Sequence, residues 1–468
     1  MGFWTSARVA NILGLNLSQS SKDLHYITTD SRQVKPGSLF IAIKGDTHDG
    51  NQFIPEAIRA GALAVICEKN FVNEIQHSSS CEIFRVPSSL AAIRTLAEVY
   101  RTQFKFPIIA VIGAVGKTTT KEMIASMLSG KYLNIKKTHE SENGFLGIPL
   151  TLLKLTPETD IAIIEIGIDE LGAMEQHVDL VKPTHLILTR TGPEHLHQLK
   201  TLELAAREEL KAFDYALTKN IPIAMNLDDP FVYSWFQKNQ SKITENKSIT
   251  YSLDPKLNSA LLGTYLESEN SLKTLGKLLQ ENFTLPLPGK HNAQNLLASI
   301  ALSQFFNLDA SQIRMGLSTF KTAKGRTHLH PLNDGIEIIA DHYNSNPTSL
   351  EAALTLLFSS KNKDAYFAVL GDMLELGDEE EKFHRQIASQ LIDHQVSEVW
   401  LYGERMKWLD NEIHKASQIK VHHFETHEAL SNSLKLAIKP NTRILIKGSR
   451  GMKMEKILNA LLPLKESI

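Results

Sequence analysis

A continuous apolar run, FPIIAVIG at residues 106–113, leads straight into a glycine-rich turn and a helix-like segment. This succession constrains the fold more than any other feature, because a strand that is apolar on both faces is typical of a parallel sheet covered by helices. Similar runs recur at 160–167, 184–192 and 221–229, and helical segments separate them. The alternation predicts a doubly wound α/β sheet.

The regions on either side have their own strand and helix patterns. Residues 1–105 mix short strand-like runs with helical stretches, which predicts a small mixed α/β N-terminal domain. Residues 326–468 alternate IEIIADHY, AYFAVLGD, EVWLYGE and TRILIKGS with helical segments, which predicts a C-terminal open α/β (Rossmann-like) domain. With a third, central domain at 106–325, the division agrees with the roughly three domains expected of 468 residues at about 150 residues per domain.

Composition excludes several classes of protein. The chain has 50 Lys and Arg against 52 Asp and Glu, so its formal net charge is -2 and nonspecific nucleic-acid or membrane binding is not expected. Two cysteines, Cys67 and Cys81, cannot form a disulfide framework or a four-cysteine zinc site, and we expect two buried, reduced thiols. The N-terminal residues do not resemble a signal peptide, and no run approaches the ~18 apolar residues of a membrane span, so we expect a cytoplasmic protein.

The turn after the first central strand, Gly113–Thr120, reads GAVGKTTT. Its glycines let backbone N–H groups face an anion, and the start of the following helix adds positive potential. We therefore expect Lys117 to contact the outer phosphates of a nucleotide and the Thr118 hydroxyl to bind Mg²⁺. The generic motif has another glycine where Val111 stands, so the match is incomplete, and the alternative is a glycine turn followed by a threonine N-cap.

Two further residues are candidate metal ligands, since phosphoryl transfer needs cationic charge near the phosphate oxygens and Mg²⁺ prefers oxygen ligands. Glu165 ends a buried strand, where an unpaired carboxylate is costly; the alternative is a glutamate paired with a lysine. His195 follows another strand in TGPEHLHQ, and its position alone leaves a metal ligand and an ordinary surface or core histidine equally open.

Taken together, ten segments resemble the Mur ligase family over nearly the whole chain. They are DSRQVKPGSLFIAIKGDTHDGNQF, GAVGKTTTKEM, NGFLGIPLTLL, EIG, GPEHL, LPGKHNAQNLLASIA, KGR, DHYNSNPTSLEAAL, GDMLELGDEEEKFHR and LIKGSRGMKME. The resemblance implies a domain for a UDP-linked substrate, an ATPase domain and a domain for an incoming amine. It also implies that ATP phosphorylates a carboxylate, and that an amine then attacks the acyl phosphate to give an amide, ADP and phosphate.

The resemblance assigns residues to nucleotide and Mg²⁺. The implied ATP contacts are Gly113, Gly116, Lys117, Thr118, Thr119, Asn292, Asn295, Arg326 and Asp341, and the implied metal ligands are Thr118, Glu165 and His195. Asn292 and Asn295 lie three residues apart on a predicted helix, so both amides can face the adenine; otherwise they would be solvated helix residues. Arg326 and Asp341 would reach ATP only when the C-terminal domain closes over it.

The resemblance also implies substrate contacts. Ser31, Arg32 and Asp49, beside Asp30, His48 and Gly50, resemble the uridine-nucleotide site, although the residues alone favour a turn of polar side chains. Asn344 and Asn346 resemble contacts to the peptide substrate, while Asn346 followed by Pro347 is also typical of a helix start. Lys447 is expected to offer positive charge to the acyl phosphate or the peptide carboxylate; the alternative is a surface lysine at a strand end.

Four residues depart from the family pattern. The family often carries a carbamylated lysine, a metal ligand, about fourteen residues after the position of His195, and counting here reaches Glu209. We expect Glu209 to replace it; with a register slip of two residues Lys211 becomes the candidate. Ala114-Val115 stand where the family has small polar residues, and Gly144 stands where an asparagine is common.

The family contains several ligases, and three motifs favour one of them. YNSNP, GDMLELG and KGSRG favour the member that adds a dipeptide, which implies UDP-N-acetylmuramoyl-tripeptide and D-alanyl-D-alanine as substrates, a place in peptidoglycan precursor synthesis and a monomeric enzyme. The alternatives are a ligase that adds the third amino acid of the peptide, one that adds glutamate to folates, and a noncatalytic nucleotide-binding paralogue.

Overall fold

The computed structural model of the protein describes residues 2–17, 20–45, 48–69, 81–244, 247–276, 278–360 and 362–462. The strands are β1 (Tyr26–Thr28), β2 (Ser38–Ile41), β3 (Ala62–Glu68), β4 (Glu82–Val86), β5 (Ile108–Ile112), β6 (Ile135–Lys137), β7 (Ile161–Glu165), β8 (His185–Leu188), β9 (Ile223–Asn226), β10 (Ser248–Ser252), β11 (Leu261–Leu266), β12 (Ser271–Gly276), β13 (Asn282–Thr284), β14 (His328–Pro331), β15 (Glu337–Ala340), β16 (Ala365–Gly371), β17 (Glu398–Tyr402), β18 (Lys420–Phe424) and β19 (Thr442–Lys447).

The α-helices lie between these strands. They are α1 (Ser6–Ile12), α2 (Ile54–Arg59), α3 (Ser89–Arg101), α4 (Lys117–Leu128), α5 (Gly147–Leu153), α6 (Ala173–Val181), α7 (Leu196–Leu199), α8 (Leu202–Lys219), α9 (Pro230–Asn239), α10 (Lys290–Gln304), α11 (Ala310–Ser318), α12 (Pro347–Phe358), α13 (Glu380–Asp393), α14 (Met406–Ala416), α15 (His427–Ala437) and α16 (Glu455–Leu461). None of the described helices is long and apolar enough to cross a bilayer.

The contacts divide the chain into two compact units. The first consists of Met1–Ile108, Asn134–Ile166 and Gln176–Pro183. It contains a parallel sheet in the order β1-β2-β3-β4. It also contains β6 and β7, which pair with each other in parallel. Both cysteines are buried in this unit, as predicted, and burial raises the pKa of the Cys81 thiol to about 11. The strand and helix content agrees with the small mixed α/β domain predicted here.

The second unit contains the strand that leads into the glycine-rich turn. Its strands are hydrogen-bonded in the order β13-β12-β11-β10-β9-β8-β5. From β5 to β11 the neighbours are parallel, and all five residues of Ile108–Ile112 are buried, which explains the unbroken apolar run. Strands β11, β12 and β13 continue the sheet as antiparallel neighbours, an extension that the sequence analysis did not predict.

The same unit contains a six-stranded sheet in the order β14-β15-β19-β16-β17-β18, parallel except for β14. Strand β19 lies between β15 and β16, and its residues alternate between two cores: Leu445 joins one core, Ile444 and Ile446 the other. Ala340 pairs with Ile446, so Asp341 and Lys447 emerge side by side at the carboxyl ends of adjacent strands. Such edges are where open α/β sheets bind ligands.

Candidate active site

The turn between β5 and α4 has the backbone that a phosphate loop requires. Gly116 caps α4 with a φ of 88°, in the left-handed region. A Cβ on Gly116 would collide with the side chain of Asn295 from α10. Any other residue would therefore be both strained and obstructed there. The N–H groups of Lys117 to Thr119 lie in the first turn of α4, where the helix offers no backbone carbonyl to accept from them. N–H groups in this position are suited to binding an anion.

Lys117 is folded back over this turn. Its Nζ donates to the carbonyl oxygen of Gly113 and lies 3.2 Å from Oε2 of Glu194. The Lys117 side chain is 8% exposed and that of Glu194 18%. The sequence analysis did not single out Glu194, although it directly precedes His195 in GPEHL. Glu194 therefore provides a carboxylate partner that a phosphate can replace.

Glu209 lies beneath the same turn, where its Oε2 accepts a 3.0 Å hydrogen bond from the N–H of Gly113. The residue is 2% exposed, and burial raises its pKa to about 8, although the charge of Lys117 acts in the opposite direction. A protonated carboxyl is a poor Mg²⁺ ligand at neutral pH. Glu209 as a metal ligand stays a prediction, and its contact favours a different role, that of holding the backbone of the turn.

Lys211, the candidate if the family position falls two residues later, lies further along α8 and contacts other carboxylates. Its Nζ lies 2.9 Å from Oε2 of Glu208 and 3.5 Å from Oε2 of Glu175. The hydrogen bond to Glu208 raises the pKa of Lys211. Carbamylation needs the unprotonated amine, so this environment works against it. Glu208 itself accepts from the N–H groups of Gly172 and Met174 at the start of α6.

His195 is the N-cap residue of α7, with a φ of 51°, and its side chain contacts the segment that follows β16. Its Nδ1 lies 2.6 Å from Oε2 of Glu375, and its Nε2 lies 3.9 Å from Oε1 of Glu194. Partial burial lowers the pKa of His195, but the hydrogen bond to Glu375 and the two carboxylate charges outweigh burial and raise it. Glu375 lies in GDMLELG, a motif that favours the dipeptide-adding ligase but from which no site residue was predicted.

Glu165 ends β7 in the first unit and is 1% exposed. Its Oε1 accepts a 2.8 Å hydrogen bond from Nδ2 of Asn143, and its N–H donates to Oγ1 of Thr138 at 2.9 Å. The carboxylate is thus held by a neutral amide. Asn143 opens NGFLGIPLTLL, and its contact with Glu165 was not predicted.

Asn292 and Asn295 lie on one face of α10, as their spacing predicts. Nδ2 of Asn295 lies 3.4 Å from Oδ1 of Asn292, and Nδ2 of Asn292 donates to the Pro288 carbonyl at 2.8 Å. Their contact with adenine stays a prediction. Residues between and before them, Gln294 and Lys290, line a separate cavity of about 580 Å³.

That cavity lies next to the phosphate-loop turn. It is also lined by Arg190, whose carbonyl accepts a 2.7 Å hydrogen bond from the N–H of Ala114 in the turn. Gln294 donates to Oδ2 of Asp228 at 3.0 Å across the cavity wall. Its volume falls in the range of ligand cavities in proteins. The pattern HNAQN contains Gln294, but nothing in it distinguishes this side chain from the neighbouring asparagines.

Lys447 is buried and pairs with Asp341, whose side chain is 14% exposed. Nζ of Lys447 lies 2.6 Å from Oδ2 of Asp341 and donates to the Asn344 carbonyl at 2.9 Å; the Lys447 side chain is 1% exposed. Oδ1 of Asp341 accepts from the N–H of Thr327 at 3.0 Å. Burial acts to raise the pKa of Asp341, but the adjacent Lys447 outweighs burial and holds it below its usual range. The surface-lysine alternative for Lys447 is therefore wrong.

The other C-terminal candidates lie close to this pair. The Arg326 guanidinium lies 4.4 Å from the ring centroid of Tyr343, as a cation–π contact. Asn346 caps α12, its Oδ1 accepting from the N–H of Ser349 at 2.8 Å, and Pro347 is the first helical residue. The predicted helix start is thus confirmed. The nucleotide role of Arg326 and the substrate roles of Asn344 and Asn346 stay predictions.

The predicted uridine residues of the first unit lie in two short 3₁₀ turns. Asp30 caps Ser31–Gln33 and makes a bidentate pair with the Arg32 guanidinium, with two contacts of 2.8 Å. Asp49 caps Gly50–Phe53, its Oδ1 accepting from the Asn51 N–H at 2.9 Å. The polar-turn interpretation is correct for the local geometry. The side chain of Arg32 is 84% exposed, and uridine binding by Ser31, Arg32 and Asp49 stays a prediction.

The donor set suits Mg²⁺, which takes few protein ligands and keeps water and phosphate oxygens. Thr118 supplies a hydroxyl in the first turn of α4, and Glu165 supplies a buried carboxylate with an oriented oxygen. Among the described residues, no three His, Cys, Asp or Glu side chains cluster as a complete metal cage.

Comparison with known proteins adds three family matches along the chain. Residues 23–102 match the model described as Mur ligase family, catalytic domain. Residues 111–303 match the Mur ligase middle domain, and residues 325–450 match the Mur ligase, glutamate ligase domain. These matches confirm the predicted α/β architecture of three domains; the boundaries at 105 and 325 stay predictions.

Individual relatives cover almost the whole chain. UDP-N-acetylmuramoyl-tripeptide–D-alanyl-D-alanine ligase of Bacillus subtilis is 30% identical over 440 residues, covering 94% of this chain and 93% of the relative. The crystal structure of MurF from Acinetobacter baumannii has a TM-score of 0.84 at 23% identity, covering 98% and 99% of the two chains. MurF from Thermotoga maritima, solved in complex with ADP, has a TM-score of 0.78 at 23% identity, with 94% and 98% covered.

Proposed function

Because this chain belongs to the Mur ligase family, we propose that it joins D-alanyl-D-alanine to UDP-N-acetylmuramoyl-tripeptide at the expense of ATP. The reaction would complete the peptide of a peptidoglycan precursor. The Bacillus subtilis relative bears the name of this ligase, and so do seven further relatives that are 28–32% identical. The structural observation that carries the proposal is the glycine turn before α4, with Lys117 folded over it.

The proposed first step is phosphoryl transfer from ATP to the carboxylate of the tripeptide. A carboxylate oxygen attacks the terminal phosphorus, the bond to ADP breaks, and an acyl phosphate forms. Charge moves onto the bridging oxygen of ADP, so a cation nearby lowers the barrier. Lys117 would leave Glu194 and Gly113 for the phosphate oxygens, while the N–H groups at the start of α4 hold the remaining charge.

Mg²⁺, when bound, neutralises charge on the phosphate oxygens. Thr118, Glu165 and His195 are the proposed ligands. Glu165 is held by the amide of Asn143, so its carboxylate need not reorganise as the ion binds. Glu209 is proposed to hold the N–H of Gly113, which orients the turn without contacting the ion.

The second step is attack by the amine of D-alanyl-D-alanine on the acyl carbon. The amine must first lose its proton; a tetrahedral intermediate then expels phosphate and leaves an amide. Lys447 is proposed to face the developing negative charge, with Asp341 holding its ammonium at the end of β19. Asn344 and Asn346 are proposed to contact the peptide substrates, and Arg326 the nucleotide.

The nucleoside part of ATP is proposed to lie along α10, where Asn292 and Asn295 are the predicted adenine contacts and Gln294 between them lines the cavity with Asp228. The wall of this cavity includes Arg190, which is hydrogen-bonded to the phosphate-loop turn. A nucleotide with its outer phosphates at Lys117 would extend from the turn toward this cavity. Amide and carboxylate groups provide both donors and acceptors for a purine edge.

The test is a product assay with UDP-N-acetylmuramoyl-tripeptide, D-alanyl-D-alanine, ATP and Mg²⁺. We expect amide product and ADP in equal amounts, and neither when the tripeptide is omitted. A third-position amino acid or glutamate in place of the dipeptide distinguishes the other ligases of the family. Tight nucleotide binding without product under all these conditions would instead identify a noncatalytic paralogue. A monomeric state and a cytoplasmic location stay predictions.

A further inference from the structure

The segment Gly371–Gly377, GDMLELG, follows β16 and lies against the start of α7. The N–H of His197 donates to the Glu375 carbonyl at 3.3 Å. Gly377 has a φ of 62°, and a Cβ there would lie 3.0 Å from the Leu196 carbonyl oxygen. The loop therefore approaches the backbone of α7 as closely as a glycine allows.

The side chain of Glu375 continues this contact. Its Oε2 lies 2.6 Å from Nδ1 of His195. Both residues have left-handed backbone angles, with φ values of 66° and 51°. A non-glycine residue pays a conformational cost there, and such angles persist at sites where the surroundings demand them. Because both residues of the contact have such angles, the strained backbone supports a functional role for the contact between Glu375 and His195.

An imidazole that donates from Nδ1 keeps its Nε2 lone pair for another partner. Nε2 of His195 lies 3.9 Å from Oε1 of Glu194, and Oε2 of Glu194 lies 3.2 Å from Nζ of Lys117. A polar chain thus runs from Glu375 through His195 and Glu194 to the lysine of the phosphate loop. Each link joins one segment of the proposed site to the next.

We propose that Glu375 is a positioning residue that fixes the His195 ring with Nε2 directed toward the Mg²⁺ of the bound nucleotide. Docking of the GDMLELG loop and binding of the metal–nucleotide complex then favour each other, because both depend on one orientation of His195. The inference rests on the proposed function and extends it by assigning a role to this loop.

The exposure of the pair favours positioning over stability. The Glu375 side chain is 58% exposed and that of His195 29%, and ion pairs that exposed contribute little to folding. A carboxylate that orients a metal-bound histidine has a larger effect, since its removal typically lowers metal affinity by about 10–100-fold. The expected loss is therefore in Mg²⁺ binding, with the fold preserved.

The experiment titrates Mg²⁺ into the full chain with a non-hydrolysable ATP analogue and follows binding by calorimetry. Glu375→Ala should raise the Mg²⁺ concentration for half-saturation by about 10-fold or more. Glu379→Gln removes a charge four residues away, from a side chain paired only locally with Lys382, and should stay within about twofold of the parent. Gly377→Ala should resemble Glu375→Ala, because it obstructs the docking of the loop.

A double-mutant cycle with His195→Ala tests the mechanism. If Glu375 acts through His195, Glu375→Ala should cause no further loss in the His195→Ala background. A Glu375→Ala variant that binds Mg²⁺ like the parent overturns the proposal, and so does a loss that persists in full without His195. The proposed function fails separately, if the parent protein makes no dipeptide ligation product while its Mg²⁺ titration still responds to Glu375.

Discussion

Two buried lysines of the second unit, Lys117 and Lys447, each lie at the carboxyl end of a parallel strand beside a carboxylate. Lys117 lies 3.2 Å from Glu194, and Lys447 lies 2.6 Å from Asp341. The side chains of Lys117 and Glu194 are 8% and 18% exposed, and those of Lys447 and Asp341 are 1% and 14% exposed. Lys117 belongs to a turn that opens a helix; Lys447 is part of the strand. The first lysine can exchange its partners for a phosphate, whereas the second is held as part of the sheet.

The largest expected effect is the loss of catalysis at the Lys117 site. Lys117→Ala should lower kcat by about 1000-fold or more, because the ammonium of Lys117 would no longer stabilise the negative charge of the transferred phosphoryl group in the transition state. Its free energy of unfolding should fall less than that of Lys447→Ala, because the Lys117 ammonium is the more exposed of the two and lies 3.2 Å from its carboxylate rather than 2.6 Å. Steady-state kinetics and thermal unfolding of the same preparation measure both. An active Lys117→Ala variant would contradict the assignment of the phosphate loop.

Stability should separate them in the opposite direction. Lys447→Ala should lower the free energy of unfolding by about 3–5 kcal/mol, because Asp341 loses its 2.6 Å ion-pair partner and keeps only the charge of Arg326 and the Thr327 N–H. The double variant Lys447→Met with Asp341→Asn should recover most of this loss, since no buried charge remains. Chemical denaturation of the three proteins provides the comparison. If Lys447→Ala were as stable as the parent, the Lys447–Asp341 pair would not stabilise the fold more than the Lys117–Glu194 pair does.

The pH dependence should also differ in sign between the two sites. Glu209, beside the Lys117 turn, has a pKa raised from 4.5 to about 8, so the folded state keeps a proton that the unfolded state has lost. Its contribution to stability is present below pH 4.5 and should fall by about 3 kcal/mol between pH 5 and pH 8. Glu209→Gln should remove this fall, as measured by denaturation at several pH values.

At the Lys447 site the carboxyl pKa is lowered instead. Asp341 contributes stability above its unfolded pKa and loses it as the pH falls through its folded pKa. Asp341→Asn should therefore flatten the acid side of the stability profile, while Glu209→Gln flattens the neutral side. Identical profiles for the two variants would remove the distinction between the sites.

The smallest expected effect concerns the helix that begins next to Lys447. Asn346→Ala should lower the free energy of unfolding by about 1 kcal/mol, through loss of the hydrogen bond to the Ser349 N–H. Asn346→Asp, which keeps an acceptor, is the matched control. If ligase activity fell far more than stability, in Asn346→Asp as well, the result would indicate that Asn346 also contacts a substrate.

Much of the fold follows from local patterns. The buried run before Gly113 predicted β5, and the glycine spacing predicted the turn and the start of α4, because residues adjacent in sequence decide those conformations. Asn346 and Pro347 marked the start of α12 for the same reason. The antiparallel strands β11 to β13 were missed, since short strands with mixed polarity have no distinctive period.

The sequence by itself determined the α/β class, the phosphate turn and the family, because each depends on short segments whose order and spacing are sufficient. Only the tertiary structure decided the partners: Asp341 meets Lys447 because β19 inserts beside β15, and His195 meets Glu375 because one loop docks on α7. Glu209 likewise became a support of the turn once α8 placed it under Gly113. Such pairs join residues far apart in sequence, and strand order, which no local pattern encodes, sets which of them meet.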